Sequence, residues 1–276
     1  MTNSGAAPGV SADAPPLTVT LLGTGTSTGV PVLGCDCAVC TSDDPRNRRM
    51  RTSAHVVAHT ESGDVHLQID AGPDFRQQAL RYGVTNVDAL LVTHEHFDHV
   101  AGLDDLRPLF FRNRASIPVY AHPPTADALH AMFRYVFDRT YPGASLLDLH
   151  PVAGPFRVTS RSGEGAVTVE PVLAPHGHSE VLGFRLGAFA YLTDVSAVSD
   201  ALADRLGGVE TLVLDGLRPE PHPTHLSFDE AAEAAARIGA CETWLVHVTH
   251  ALSHTEAEQR LPEGVRLGYD GLVLSV

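Results

Sequence analysis

With 276 residues, 43% of them hydrophobic and 19% charged, the chain can bury a substantial core without disulfide staples and has a globular composition, not a fibrous or disordered one. A formal net charge of −14 argues against an extended nucleic-acid surface, because a polyanion is repelled at long range. No apolar run approaches the ~20 residues that a membrane-spanning helix requires, so no membrane partner is expected.

In chain order, Met1 to Pro16 is small, polar and proline-bearing. It lacks the basic and apolar regions of a signal peptide, so residues 1–16 are expected to be a disordered tail and the protein cytoplasmic. A first strand is predicted over Leu17–Leu22. A glycine-rich turn follows, then Cys35-Asp36-Cys37-Ala38-Val39-Cys40. Three of the four cysteines so closely spaced are poorly placed for relaxed disulfides and read as a metal knuckle. Cys241, alone before an apolar run, reads as core. The run from Arg46 to Arg51 could steer a phosphate or simply balance Asp43 and Asp44 in a solvated loop.

Strands are predicted over His55–Ala58 and Val65–Ile69, the second ending in Asp70. A helix over Phe75–Tyr82 follows, with Asp74 as N-cap, Gln77 at the capping-box position and Gly83 as terminator. Next come a strand over Ala89–Thr93, another over Ile117–Ala121 and a helix over Ala126–Asp138. The loop-rich stretch from Leu109 to Pro155 is expected to be an insertion near the site. The remaining strands are predicted over Val167–Leu173, Leu182–Leu186, Ala190–Thr193, Thr211–Leu214, Thr243–Val248 and Gly271–Leu274. Ser227, Glu230 and Gly239 bracket a helix over Phe228–Ile238. Strands and helices alternating over residues 17–276 point to one α/β domain.

The strand from Ala89 runs into His94-Glu95-His96-Phe97-Asp98-His99. So many imidazoles and a carboxylate cannot each find a separate core partner, whereas a divalent ion takes neutral histidine and ionised aspartate as ligands. Four further apolar runs end in polar groups: at Asp70, Asp194, Asp215, and at His247 with His250. One such ending is weak evidence, since these residues also form turns. Five converge in one cleft if the strands share a direction.

These residues resemble the metallo-β-lactamase superfamily, from Leu17 to Val276. The His-x-His-x-Asp-His box is specific to the superfamily. The opening Leu22-Gly23-Thr24-Gly25-Thr26-Ser27-Thr28-Gly29-Val30-Pro31 and the cysteine knuckle are similar to its phosphodiesterase branch. That branch includes the cyclic-phosphate phosphodiesterase of the carbon–phosphorus lyase pathway and, further off, transfer-RNA 3′-processing endonucleases. The resemblance implies the metallo-β-lactamase fold, an αβ/βα four-layer sandwich. It implies two divalent ions, zinc or manganese: one held by His94, His96 and His176 (or His178), the other by Asp98, His99 and His247, with Asp194 bridging. It further implies one structural zinc held by Cys35, Cys37, Cys40 and His250. His225 matches the family's proton-donating histidine. Asp70 is expected to hydrogen-bond a ligand histidine, and Asp215 to do likewise or to orient His225. His222 and His254 are expected to be exposed.

The implied activity is hydrolysis of a small or cyclic phosphodiester of the ribose cyclic phosphate type by metal-bridged hydroxide, with His225, Asp98 and Asp194 as catalytic residues. Alternatives are a transfer-RNA 3′-processing endonuclease, a thioester or lactone hydrolase, and a non-catalytic metal-binding accessory protein. A homodimer is left open.

Overall fold

The computed structural model describes residues 14–137, 147–161 and 163–276. Most of the expected tail, residues 1–13, lies outside them. At its end, the Pro16 carbonyl accepts the His59 amide at 2.9 Å.

Two seven-stranded sheets form the middle of the molecule. The first comprises β1 (Leu17–Gly23), β2 (Ser53–Thr60), β3 (Gly63–Ile69), β4 (Ala89–Leu91), β5 (Ile117–Ala121) and β6 (Leu147–Pro151), completed by β14 (Val273–Ser275). Its order is β14-β1-β2-β3-β4-β5-β6. The second comprises β7 (Phe156–Thr159), β8 (Ala166–His176), β9 (Ser179–Leu186), β10 (Phe189–Leu192), β11 (Thr211–Asp215), β12 (Glu242–Val246) and β13 (Val265–Leu267), in the order β13-β12-β11-β10-β9-β8-β7. Each sheet is antiparallel in one half and parallel in the other. Strands β3 to β6 run parallel, as do β10 to β13.

Helices α1 (Phe75–Tyr82), α2 (Phe97–Val100), α3 (Arg107–Asn113), α4 (Pro123–Met132) and α5 (Arg134–Phe137) go with the first sheet. The others, α6 (Asp200–Arg205), α7 (Phe228–Ile238) and α8 (His254–Glu258), go with the second. The layering follows from strand periodicity. In β4, Ala89 and Leu91 point into the core between the sheets, while Leu90 faces the helical layer with Phe75, Leu129 and Val136. In β11, Val213 points inward and Leu212 and Leu214 meet Phe228, Ala231 and Ala235 of α7. A strand covered on both faces reads as a continuous apolar run, as these do. The result is the metallo-β-lactamase architecture, with helices outside two stacked sheets.

Several local expectations change. Asp74 does not cap α1; its carboxylate accepts the Arg51 amide at 2.9 Å and the Arg51 guanidinium at 3.0 Å. The helix expected over Ala126–Asp138 is two, because Phe133 leaves helical geometry at ψ 37°; Asp138 lies outside the described residues. The stretch expected as an insertion, from Leu109 to Pro155, instead supplies β5, β6 and three packed helices of the main architecture. Strands β6, β7 and β13 were not anticipated. All three are sheet edges, where one-sided packing weakens the apolar pattern.

Candidate metal centres

The parallel halves bring strand C-termini to one rim, and most of the candidate residues stand just past those ends. Asp70 follows β3, His94 to His99 follow β4, and His176 ends β8. Asp194 follows β10, Asp215 ends β11 and His247 follows β12. Three of them turn the chain in the left-handed region: Asp70 at φ 57°, Asp194 at φ 59° and His247 at φ 65°. Such backbone costs about 1–3 kcal/mol per residue outside glycine and clusters at functional sites. Two glycines let the loops close. A Cβ on Gly72 would lie 1.8 Å from the Asp98 carbonyl oxygen, and one on Gly177 would meet the Thr224 side chain at 2.7 Å.

The hydrogen bonds fix which nitrogen each imidazole turns inward. His99 donates from Nδ1 to Asp70 at 2.7 Å. The Thr93 hydroxyl donates to Asp70 at 2.8 Å and so accepts from His94 Nδ1 at 3.0 Å. His176 donates from Nδ1 to the Thr224 carbonyl at 2.9 Å. In the neutral ring that a metal ligand requires, each is left with an Nε2 lone pair, the arrangement that outer partners impose on ligand histidines.

These inward nitrogens, with Nε2 of His247, crowd against two carboxylates and one another. His99 Nε2 lies 3.2 Å from Asp98 and 3.3 Å from Asp194. His247 Nε2 lies 3.3 Å from Asp194 and 3.5 Å from Asp98. His94 Nε2 is 2.9 Å from His96 Nδ1 and 3.8 Å from Asp194. Buried His99 Nε2 has no hydrogen-bond partner. Burial and the neighbouring His99 hold His94 well below the usual histidine range. Burial would also raise Asp194, but His247 and His99 hold it well below the carboxylate range. Burial would lower His99, but Asp194 and Asp70 hold it well above the usual histidine range; a metal ion among these groups would take the place of that proton, and the nitrogen and oxygen donor set suits a borderline divalent ion. Three overlapping groups of ligand atoms in this pocket lie close enough together to hold an ion: His94, His96, His176 and Asp194; Asp98, His99 and His247; and Asp194, His225 and His247. Asp194 approaches both His94 and His247 and stands between the first two groups. His178, the alternative to His176, is exposed beyond the hairpin turn.

Beside this pocket, His225 stacks on His247 with ring centroids 4.7 Å apart. Its Nδ1 lies 3.2 Å from Asp215, whose other oxygen accepts the Leu226 amide at 2.9 Å. Nε2 therefore faces Asp194, at 3.9 Å. The following helix starts with a full capping box between Ser227 and Glu230, which fixes the loop carrying His225.

A second centre lies at the cysteine knuckle. The sulfurs of Cys35, Cys37 and Cys40 lie 3.5, 3.3 and 3.4 Å from His250 Nδ1. A tetrahedral zinc with bonds of ~2.3 Å to sulfur and ~2.0 Å to nitrogen separates those atoms by about 3.5 Å, so the four residues fit that ion. The Cys40 amide and His250 bring the Cys37 thiol down to about 6, toward the thiolate a metal requires.

Other candidates sit elsewhere. Cys241 is exposed, not core. His254 is buried and its Nδ1 accepts from the Arg49 guanidinium at 3.1 Å, and His222 is half-buried beside His225. The basic run is mostly structural: Arg46 pairs with Asp44, buried Arg49 donates to Thr24 and the Gly268 carbonyl, and Arg51 pairs with Asp74. Thr93 and the Thr224 carbonyl were not anticipated, since neither residue type signals such a contact.

Residues 66–248 match the family model of the beta-lactamase superfamily domain. The crystal structure of a new diphosphatase from the PhnP family has a TM-score of 0.84 and 41% identity, covering 95% of this chain and 97% of that one. A Porphyromonas gingivalis protein named octanoyltransferase is 41% identical over 257 residues, 91% of this chain and 50% of that protein. The chain thus spans about half the length of that relative. Coenzyme PQQ synthesis protein B of Methylobacterium nodulans is 30% identical over 217 residues, 71% of each.

Proposed function

This chain belongs to the beta-lactamase superfamily and is a metal-dependent hydrolase of the metallo-β-lactamase fold, and we propose that it is a dinuclear phosphodiesterase acting on a small or cyclic phosphodiester. The observation that carries the reading is the convergence of two ligand groups around Asp194, with the His225–Asp215 pair at their side. The similar PhnP-family diphosphatase supports phosphorus–oxygen chemistry. Acyl transfer is not carried over from the octanoyltransferase, half of whose length this chain spans.

In this reading His94, His96 and His176 would hold one ion and Asp98, His99 and His247 the other, with Asp194 placed to serve both. When bound, such a pair acidifies water and neutralises charge on the phosphoryl oxygens. The protein's own groups do the rest. Asp70, directly and through Thr93, holds the Nδ1–H tautomer of His99 and His94, so that Nε2 is the nitrogen turned inward. The Thr224 carbonyl does the same for His176. Asp215 holds His225 by Nδ1, so that a protonated His225 presents its Nε2–H to the departing ester oxygen. Without that proton the oxygen would leave as a poorly stabilised alkoxide.

Cys35, Cys37, Cys40 and His250 would hold a zinc, which would brace the segment carrying His247. Thiols kept for a metal suit a reducing, cytoplasmic setting. Among the described residues no helix is long and apolar enough to cross a membrane.

A substrate panel tests the proposal: bis-p-nitrophenyl phosphate, a ribose cyclic phosphate, a thioester and a lactone, each with added zinc or manganese. Turnover of the phosphodiesters is expected. Turnover of the thioester or lactone alone would overturn it.

A further inference from the structure

A cavity of about 510 Å³ opens beside His225 and runs toward the knuckle, reaching Cys37 and His250. Its walls include Thr26, Ser27, Thr28 and Arg218. His225 stands at one end of this space. Nothing in the hydrolytic scheme so far uses the rest.

Arg218 is the one lysine or arginine lining it. Among the described residues no carboxylate lies within ion-pair distance of its guanidinium, which meets only the Glu220 carbonyl, at a long 3.4 Å. Glu220 itself is exposed at the cavity edge. The position of Arg218 is nevertheless fixed. Its carbonyl accepts the Phe228 amide at 3.0 Å, and the residue bridges to Ser227 in parallel register. The amide of its neighbour Leu217 donates to the Leu226 carbonyl, and the Leu217 carbonyl accepts the Thr249 amide. The residue is therefore stapled both to the segment that carries His225 and to the one that joins His247 to His250.

His222 adds a second donor. Its Nδ1 accepts the Thr224 amide, which leaves the proton on Nε2. Cation, imidazole N–H and threonine and serine hydroxyls around one space form a donor-rich site for an anion, adjacent to the group that serves the leaving oxygen. Arginine suits this place because its planar fork matches two phosphoryl oxygens at once.

We infer that Arg218 is a specificity-determining residue that binds a phosphate carried by the leaving group, so that the preferred substrates are diesters bridged by a diphosphate. The inference rests on the phosphodiesterase reading and names its substrate class. In the reaction, the oxygen of one water bonds to one phosphorus. The bond from that phosphorus to the bridging oxygen breaks, and its electron pair stays on the bridging oxygen. Two phosphate monoesters leave, sharing the two hydrogens of the water. The departing group is then an anion, and a cation tethered on its side of the pocket favours its departure.

The test uses the metal-loaded wild type, Arg218→Gln and Arg218→Lys. Two substrates are compared: ADP-ribose, a diphosphate-bridged diester, and bis-p-nitrophenyl phosphate, whose leaving group carries no phosphate. The ratio of kcat/KM for ADP-ribose to that for bis-p-nitrophenyl phosphate should fall about 10- to 100-fold in Arg218→Gln, mainly through KM, as expected for loss of a charged hydrogen bond. Arg218→Lys should recover part of it. Calorimetry should show AMP binding about tenfold more weakly to Arg218→Gln than to the wild type, with adenosine showing no such difference. An unchanged ratio, or equal AMP affinity in both proteins, would overturn the inference. If the wild type hydrolyses no diester, the phosphodiesterase reading falls and the AMP comparison alone decides whether Arg218 holds a phosphate.

Discussion

The cysteine knuckle and the histidine–aspartate pocket are two ways of building a metal site in one chain. The knuckle takes three ligands from one short loop and a single one, His250, from the far end of the sequence. The pocket takes its groups from the ends of strands in both sheets, and fixes them with buried partners such as Asp70 and Asp215. A site of the first kind ties two segments together. A site of the second kind is held by the fold, and so can keep crowded imidazoles and carboxylates and left-handed backbone in place for chemistry. The contrast predicts that damage to the knuckle is felt first in stability and damage to the pocket first in turnover.

The largest effect should come from Asp194→Asn. Asparagine tolerates the left-handed backbone that Asp194 adopts, so the substitution removes charge without straining the turn. Against a diester that the wild type hydrolyses, kcat should fall about 10³-fold or more, with the melting temperature little lowered. A loss of folding in place of a loss of rate would break the distinction between the two sites. Cys37→Ser should do the reverse. It should release one zinc per chain, measured by metal analysis, and lower the melting temperature on the order of 5 °C. Unchanged metal content would remove the knuckle from the comparison. A smaller effect is expected for Asp215→Asn, which keeps an acceptor for the Leu226 amide but weakens the hold on His225. Removal of such an orienting partner typically costs about 10- to 100-fold, here expected in kcat with KM little changed. An equal fall for a substrate whose leaving group needs no proton would show that Asp215 supports the pocket only structurally.

The same contrast explains what the sequence made legible. Three knuckle thiols and the run from His94 to His99 are local, so spacing alone exposed them. Asp194, Asp215 and His247 were visible because each ends a buried strand, where a polar residue interrupts an apolar run. The choice between His176 and His178 depended on the hairpin turn at Gly177, which turns the first inward and leaves the second in solvent. Burial was harder to foresee. His254 and Arg49 lie inside because they satisfy one another, while Cys241 stays outside at a strand entrance. Edge strands β6, β7 and β13 escaped notice because each is short and only one side of it is packed.

His247 and His250 are three residues apart on one segment, one turned to the pocket and the other to the knuckle. Any coupling between the two centres through this segment is reciprocal. Whatever factor an ion at the knuckle contributes to the affinity of the pocket, ions in the pocket must return to the knuckle in equal measure, because the cycle of loading steps closes. The order in which the ions arrive can change the rate of loading, but never the free energy of the fully loaded protein.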